Sequence, residues 1–328
     1  MQVIQDLIDE IVQHKEQVIV AMIIGVEGSA YRKEGAWMLF KENEKRYGML
    51  SGGCIENDLN ERAKKMFSSG LTEIVSYDLS SEDETGWGRG AGCNGRITVL
   101  LKDVTENFRQ FLKEIQQQLL LMQPVYYTQS LTNFNDYRYW TKQNKNTQKS
   151  IAFSQLIAPF SKKAGIKMTD GQEQYIQIIW PKPRLFVIGA GPDARPLAKL
   201  ASQTGFHVHV IDWRPAFVNN HYFPTANSIS TGPIMNTIRK ISFNKLDSIV
   251  IMTHDFQKDQ EILTYLTTLN LQYLGVLGSK KRIQRLVKDK HPSFLYSPAG
   301  LSIQADGPEE IAVSIIAQMI TIKNDGAK

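Results

Sequence analysis

The spacing of apolar positions changes along this 328-residue chain, and the changes mark its elements. Val3, Ile4, Leu7, Ile8, Ile11 and Val12 recur at helical spacing and predict an amphipathic first helix. Residues 17–26 then form an almost unbroken apolar run of strand character. A second strand, 37–40, follows in hairpin fashion across the Gly28 to Gly35 connection. The same reading gives a helix over roughly 55–67, strands over 71–77 and 96–101, and a helix over 108–121. From 123 to 180, short β segments at 126–131, 138–140, 151–154 and 175–179 alternate with polar loops such as 142–149, and no chemistry is legible there.

After Pro181 and Pro183 the pattern becomes that of a βαβ unit. Leu185 to Ile188 is a short apolar strand, Gly189, Gly191 and Ala194 fit the spacing G-x-G-x-x-G/A, and Val208 to Ile211 is the next strand, closed by Asp212. Small residues at those positions allow a tight turn and a close backbone approach to a pyrophosphate at a helix start. An acid about 20 residues on suits a ribose hydroxyl. Further strands are predicted at 248–253 and 273–277, and Pro308 with Glu309 and Glu310 opens a last helix. The fold class is therefore α/β: a C-terminal Rossmann-like doubly wound parallel sheet plus an N-terminal mixed α/β domain. The expected domains are 1–180, including the β-rich segment 105–180, and 181–328.

Composition narrows the function classes. No apolar run approaches the roughly 20 residues of a membrane span, and Asp6, Asp9 and Glu10 interrupt the first helix where a signal peptide would be apolar, so a cytoplasmic protein is expected. The net charge of +5 is spread along the chain without a nucleic-acid signature, which favours a solvated surface over nucleic-acid binding. Two cysteines exclude a disulfide framework as the main staple.

Both cysteines sit in glycine-rich turns. Gly52 and Gly53 lead into Cys54 at a helix start, where unpaired amides and the helix dipole favour an anion and suit a soft ligand or nucleophile; Glu56 lies beside it. Gly92, Cys93, Asn94 and Gly95 end a second glycine-rich stretch, with Arg96 or Arg89 available to a phosphate. The simpler readings are an inert cysteine, a dipole partner and a plain loop. Ser29 and Arg32, between Gly28 and Gly35, form a candidate anion corner or an ordinary charged turn. In the C-terminal half, His254 and Asp255 end a strand, as an acid/base or phosphate contact and as a helix cap respectively. The basic run Lys280-Lys281-Arg282 at a helix start calls for an anion nearby. On the residues alone, an NAD(P)-dependent oxidoreductase using Asp212 on a ribose and His254 as acid/base stays open, and it leaves the two Gly-Cys turns unexplained.

Together these motifs resemble the XdhC/CoxI family. The resemblance rests on Gly28-Ser29 with Gly35, Ser51 to Glu56, Gly92 to Gly95, the 189–191 turn with Asp212 to Pro215, Thr253 to Asp255, Leu277 to Ser279 and Pro308 to Ser314. It implies an accessory factor, a chaperone that turns over no substrate, binds molybdenum cofactor (molybdopterin) and delivers it to xanthine dehydrogenase or a related molybdenum hydroxylase. A cysteine desulfurase as further partner, a homo-oligomer, and NAD(P) or another nucleotide on the Rossmann half are compatible with it. The implied cofactor contacts are Ser29, Arg32, Gly52, Gly53, Cys54, Glu56, Gly92, Cys93, Asn94, Gly95, Gly189, Gly191, Asp212, Arg214, His254 and Asp255, with Cys54 and Cys93 as candidate molybdenum thiolates and no catalytic residue.

Overall fold

A computed structural model describes residues 3–79, 95–142, 163–169, 171–286 and 292–325, which fall into two compact units, 2–181 and 182–328. The first holds helix α1 (Ile4–Gln13), strands β1 (Val18–Gly28), β2 (Trp37–Lys41) and β3 (Arg46–Gly48), and helix α2 (Glu56–Met66). Strands β4 (Thr72–Asp78) and β5 (Gly95–Asp103), helix α3 (Glu106–Leu120), and strands β6 (Val125–Ser130), β7 (Tyr137–Trp140), β8 (Ala164–Thr169) and β9 (Gln172–Ile179) follow.

The apolar run of β1 has a direct cause: it is the central strand of a sheet ordered β3-β2-β1-β5-β4 and is covered on both faces. Val18, Val20, Met22 and Ile24 face a core shared with α1, α3 and the second sheet, ordered β7-β6-β9-β8. Ile19, Ala21 and Ile23 face the opposite core, with Leu59, Ala63 and Met66 of α2. A one-residue shift in register would exchange the two sets. The motif-free segment thus builds a second antiparallel sheet. Buried Gln177 of β9 accepts from Trp37 Nε1 at 2.8 Å and donates to the Gly35 carbonyl at 2.9 Å, which ties that sheet to the Gly28–Gly35 connection.

The second unit holds strands β10 (Arg184–Ile188), β11 (His207–Asp212), β12 (Ser228–Thr231), β13 (Ser248–Ile251), β14 (Tyr273–Val276) and β15 (Leu295–Tyr296). Its helices are α4 (Ala194–Gln203), α5 (Ile234–Ile238), α6 (Phe256–Leu266), α7 (Lys280–Leu286) and α8 (Gly307–Asp325). The six strands are parallel in the order β12-β11-β10-β13-β14-β15. Leu185 and Val187 pack toward α4 and α8, whereas Phe186 and Ile188 pack toward α5 and α6, so helices cover both faces. The strand order reverses beside β10, and that switch point is where such sheets open a crevice at their carboxyl ends. Among the described residues no helix is long and apolar enough to cross a membrane.

Candidate functional site

In the N-terminal unit, residues 49–55 carry the chain from β3 into α2. Leu50 and Ile55 are fully buried and anchor the turn at both ends, while Gly52 and Gly53 between them are exposed. Buried Glu56, in the first turn of α2, accepts from the Leu50 N–H at 3.2 Å, from the Ser51 N–H at 2.6 Å and from the Ser51 hydroxyl. That hydroxyl in turn accepts from the Gly53 N–H at 3.2 Å. Burial pushes the Glu56 carboxyl up, but the Ser51 and Leu50 bonds outweigh it and hold it below the ordinary glutamate value. Both oxygens are therefore occupied by the turn. The carboxylate expected to meet a ligand is thus held by its own loop.

What the turn presents is open backbone and one thiol. A Cβ on Gly52 or Gly53 would meet nothing within 4 Å, and Gly53 has φ +112°, which favours glycine. Cys54 is half-buried, and with Ala30 it packs on the apolar cluster beneath α2. Ile55, the residue before α2, makes no side-chain cap. Ser29 is exposed and Arg32 half-buried in the connection after β1. Gly95 pairs with Gly28, and a Cβ on it would lie 2.7 Å from the Ser29 carbonyl oxygen and 2.8 Å from the Ser29 nitrogen, so strand packing alone requires this glycine. Arg96 pairs with Asp78 at 3.2 Å. Gly92, Cys93 and Asn94 lie outside the described residues, as does Arg89.

In the C-terminal unit the fingerprint residues have internal occupations. A Cβ on Gly189 would lie 2.6 Å from the Met252 carbonyl carbon, so this glycine lets β10 approach the end of β13. Asp212, fully buried, accepts from the Ala190 N–H at 2.6 Å, the Arg214 N–H at 2.8 Å, and Arg214 Nε and Nη2 at 3.0 and 2.8 Å. Burial raises its carboxyl, and the Arg214 and Ala190 bonds more than reverse this, so it sits below the ordinary aspartate value. The carboxylate that the sequence offers to a ribose thus already accepts four hydrogen bonds within the chain. Arg214 is likewise committed, forked on Asp212 with its guanidinium 4.4 Å from the Trp213 ring and 4.3 Å from Phe217. Asp255 caps α6, accepting from the Lys258 N–H at 3.1 Å, which is the capping role expected of it.

His254 takes φ +60° at the end of β13, and its Nε2 lies 2.7 Å from Asp193 Oδ2. Asp193 is not among the contacts expected from the sequence; its signal is an acid directly after Gly191-Pro192, where a phosphate-binding turn would carry none. The basic start of α7 also finds its anion inside the chain. Arg282 donates to Asp259 Oδ2 at 2.6 Å and to the Leu277 carbonyl at 3.0 Å, and Thr253 donates to the other Asp259 oxygen.

Residues 11–78 match the XdhC and CoxI family, and residues 185–319 match the XdhC Rossmann domain. The chain is 39% identical to a Bacillus subtilis protein named as a probable xanthine dehydrogenase subunit, and the match covers 96% of either chain. It is 23% identical to the molybdenum cofactor insertion chaperone PaoD of Escherichia coli, across 93% of this chain and 83% of that one. A crystal structure described as a xanthine dehydrogenase from Bacillus halodurans superposes with TM-score 0.85 at 40% identity, covering 99% of this chain and 96% of that one. With matches in both units and a 39% identical relative aligned nearly end to end, the chain belongs to the XdhC and CoxI family.

Proposed function

We propose that the protein is an accessory factor that binds molybdenum cofactor and hands it to xanthine dehydrogenase or a related molybdenum hydroxylase. The observation that carries this reading is the preformed Gly52-Gly53-Cys54 turn, whose acid is turned inward and whose open ground ends in a thiol. Relatives named as a molybdenum cofactor insertion chaperone and as part of a xanthine dehydrogenase support it.

The donor set fits the group. A thiolate suits soft metal chemistry, and open glycine backbone allows close approach of a flat ring system. When bound, the cofactor supplies the molybdenum centre that the client enzyme uses. Cys54 is the soft contact, with Cys93 as its proposed second thiolate beside Gly92, Asn94 and Gly95. Ser29 and Arg32 are proposed to take the phosphate. A cysteine desulfurase and self-association belong to the same reading. In the C-terminal unit, the saturated carboxylate of Asp212 speaks against the oxidoreductase alternative, which needs that group free for a ribose.

The test is cofactor retention. Protein purified from cells that make the cofactor retains it, activates a cofactor-free molybdenum hydroxylase and shows no nicotinamide-dependent oxidation of purines, aldehydes or hydroxy acids. Cys54→Ser lowers retention without loss of fold. Equal retention by Cys54→Ser, Cys93→Ser and the double variant would sink the thiolate role. Nicotinamide turnover that disappears in His254→Ala, with no client activation, would replace the whole reading by the oxidoreductase.

A further inference from the structure

The glycine-rich turn after β10 has the shape of a diphosphate site and the wrong charge. In dinucleotide folds the turn and the first amides of the next helix form a field that favours an anion. Here Asp193 stands at the start of α4 and does not use its side chain to cap the helix. Its carboxylate instead folds back over the turn, with Oδ1 at 2.5 Å from the position of a Cβ on Gly191. The other oxygen is held by His254 Nε2 at 2.7 Å, from the far side of the switch point. His254 reaches it from a left-handed backbone, φ +60°, that a non-glycine residue adopts only when its surroundings impose it. The carboxylate is thus latched from β13 onto the surface that a phosphate would approach.

We infer that Asp193, latched by His254, is an anion filter that bars diphosphate-bearing nucleotides from the Rossmann turn. A diphosphate approaching the turn would meet a like charge directly across Gly191, and like charges at that range repel. Asp212 adds to the exclusion, because the Ala190 N–H beside the turn already donates to it. Facing the carboxylate are His254, which holds one oxygen, and Arg214. Arg214, the cation that acts electrostatically on Asp193, is itself forked on Asp212. The inference concerns this crevice alone and holds whether or not the protein carries molybdenum cofactor.

The experiment is a gain of binding. ADP-ribose, which carries the diphosphate, and adenosine, which lacks it, are titrated by calorimetry into the full chain and into Asp193→Asn, Asp193→Ala and His254→Ala. Asp193→Asn is nearly isosteric, and melting curves check that each variant is folded. The wild type is expected to bind ADP-ribose no tighter than millimolar. Both Asp193 variants should gain about tenfold or more in ADP-ribose affinity, the scale of removing one close like charge. His254→Ala keeps the carboxylate and should gain less, and adenosine should distinguish none of the four proteins. Micromolar binding of ADP-ribose by the wild type, unchanged affinity in both Asp193 variants, or an equal gain for adenosine would each overturn the filter.

Discussion

The carboxylate of Asp212 accepts the backbone N–H of Ala190 at 2.6 Å, so the acid that closes β11 is bound to the turn that follows β10. The two residues are 22 positions apart, one closing β11 and the other just beyond the end of its parallel neighbour β10. Arg214 completes the arrangement by forking onto the same carboxylate. The acid of the dinucleotide fingerprint has become a staple of the fold.

Replacing that staple should cost stability. Asp212→Asn turns an amide toward the Arg214 guanidinium and removes the charge from a buried hydrogen-bonded cluster, a loss of about 1–3 kcal/mol. Because the folded pKa lies below the ordinary 3.8, the wild-type contribution is complete above that value and is lost as pH falls through the folded one. Urea midpoints at pH 7 and pH 3 should differ less in the variant than in the wild type. A variant as stable as the wild type at pH 7 would show the staple to be idle.

Two glycines of the N-terminal unit should behave oppositely. Gly95→Ala drives a Cβ into the backbone of Ser29 and should lower stability by more than about 2 kcal/mol. Gly52→Ala places its Cβ in open space and should melt close to wild type, while cofactor retention falls because the new methyl stands on the exposed turn. Unchanged retention in Gly52→Ala would remove this turn from the proposed cofactor surface.

Glu56 is expected to act on Cys54 through the loop. Glu56→Gln faces an amide N–H₂ toward groups that already donate, which frees the turn at a cost of about 1–3 kcal/mol. In a Cys93→Ser background, the Cys54 thiol should then react faster with a disulfide reagent than in the parent. The wild-type loop should loosen on acidification, since the lowered Glu56 pKa gives stability that is present above 4.5 and lost as pH falls through the folded value. Equal thiol reactivity in the two proteins would deny Glu56 its positioning role.

Lys102 supplies a prediction in the alkaline range. It is buried on β5, its Nζ donates to the Phe134 carbonyl at 2.6 Å, and it lies 5.0 Å from the ring centres of both Phe108 and Tyr137. Burial pushes its amine down to about 8 from 10.5. Between those values the unfolded chain holds the proton that the folded chain releases, so stability should rise with pH, by on the order of 3 kcal/mol in total. Lys102→Met should abolish that increment while leaving other pH dependence intact. Parallel denaturation curves for the two proteins from pH 7.5 to 10.5 would contradict it.

The sequence by itself determined what depends on neighbours along the chain. The unbroken run of β1, the helical spacing of α1, the 189–191 turn and the capping acid Asp255 were legible because periodicity, turn chemistry and helix caps are local. Short edge strands such as β12 and β15 carry too few residues to show a period, and β8 (Ala164–Thr169) is recruited by pairing with β9. The tertiary structure decided where the other charges are committed. Glu56 turns into its own loop, Asp212 closes on Ala190 and Arg214, Arg282 meets Asp259 across 23 positions, and Asp193 reaches His254 across 61. A carboxylate has the same chemistry whether it faces a ligand or a buried amide. Only the folding of distant strands, which leaves buried donors that must be satisfied, selects between the two.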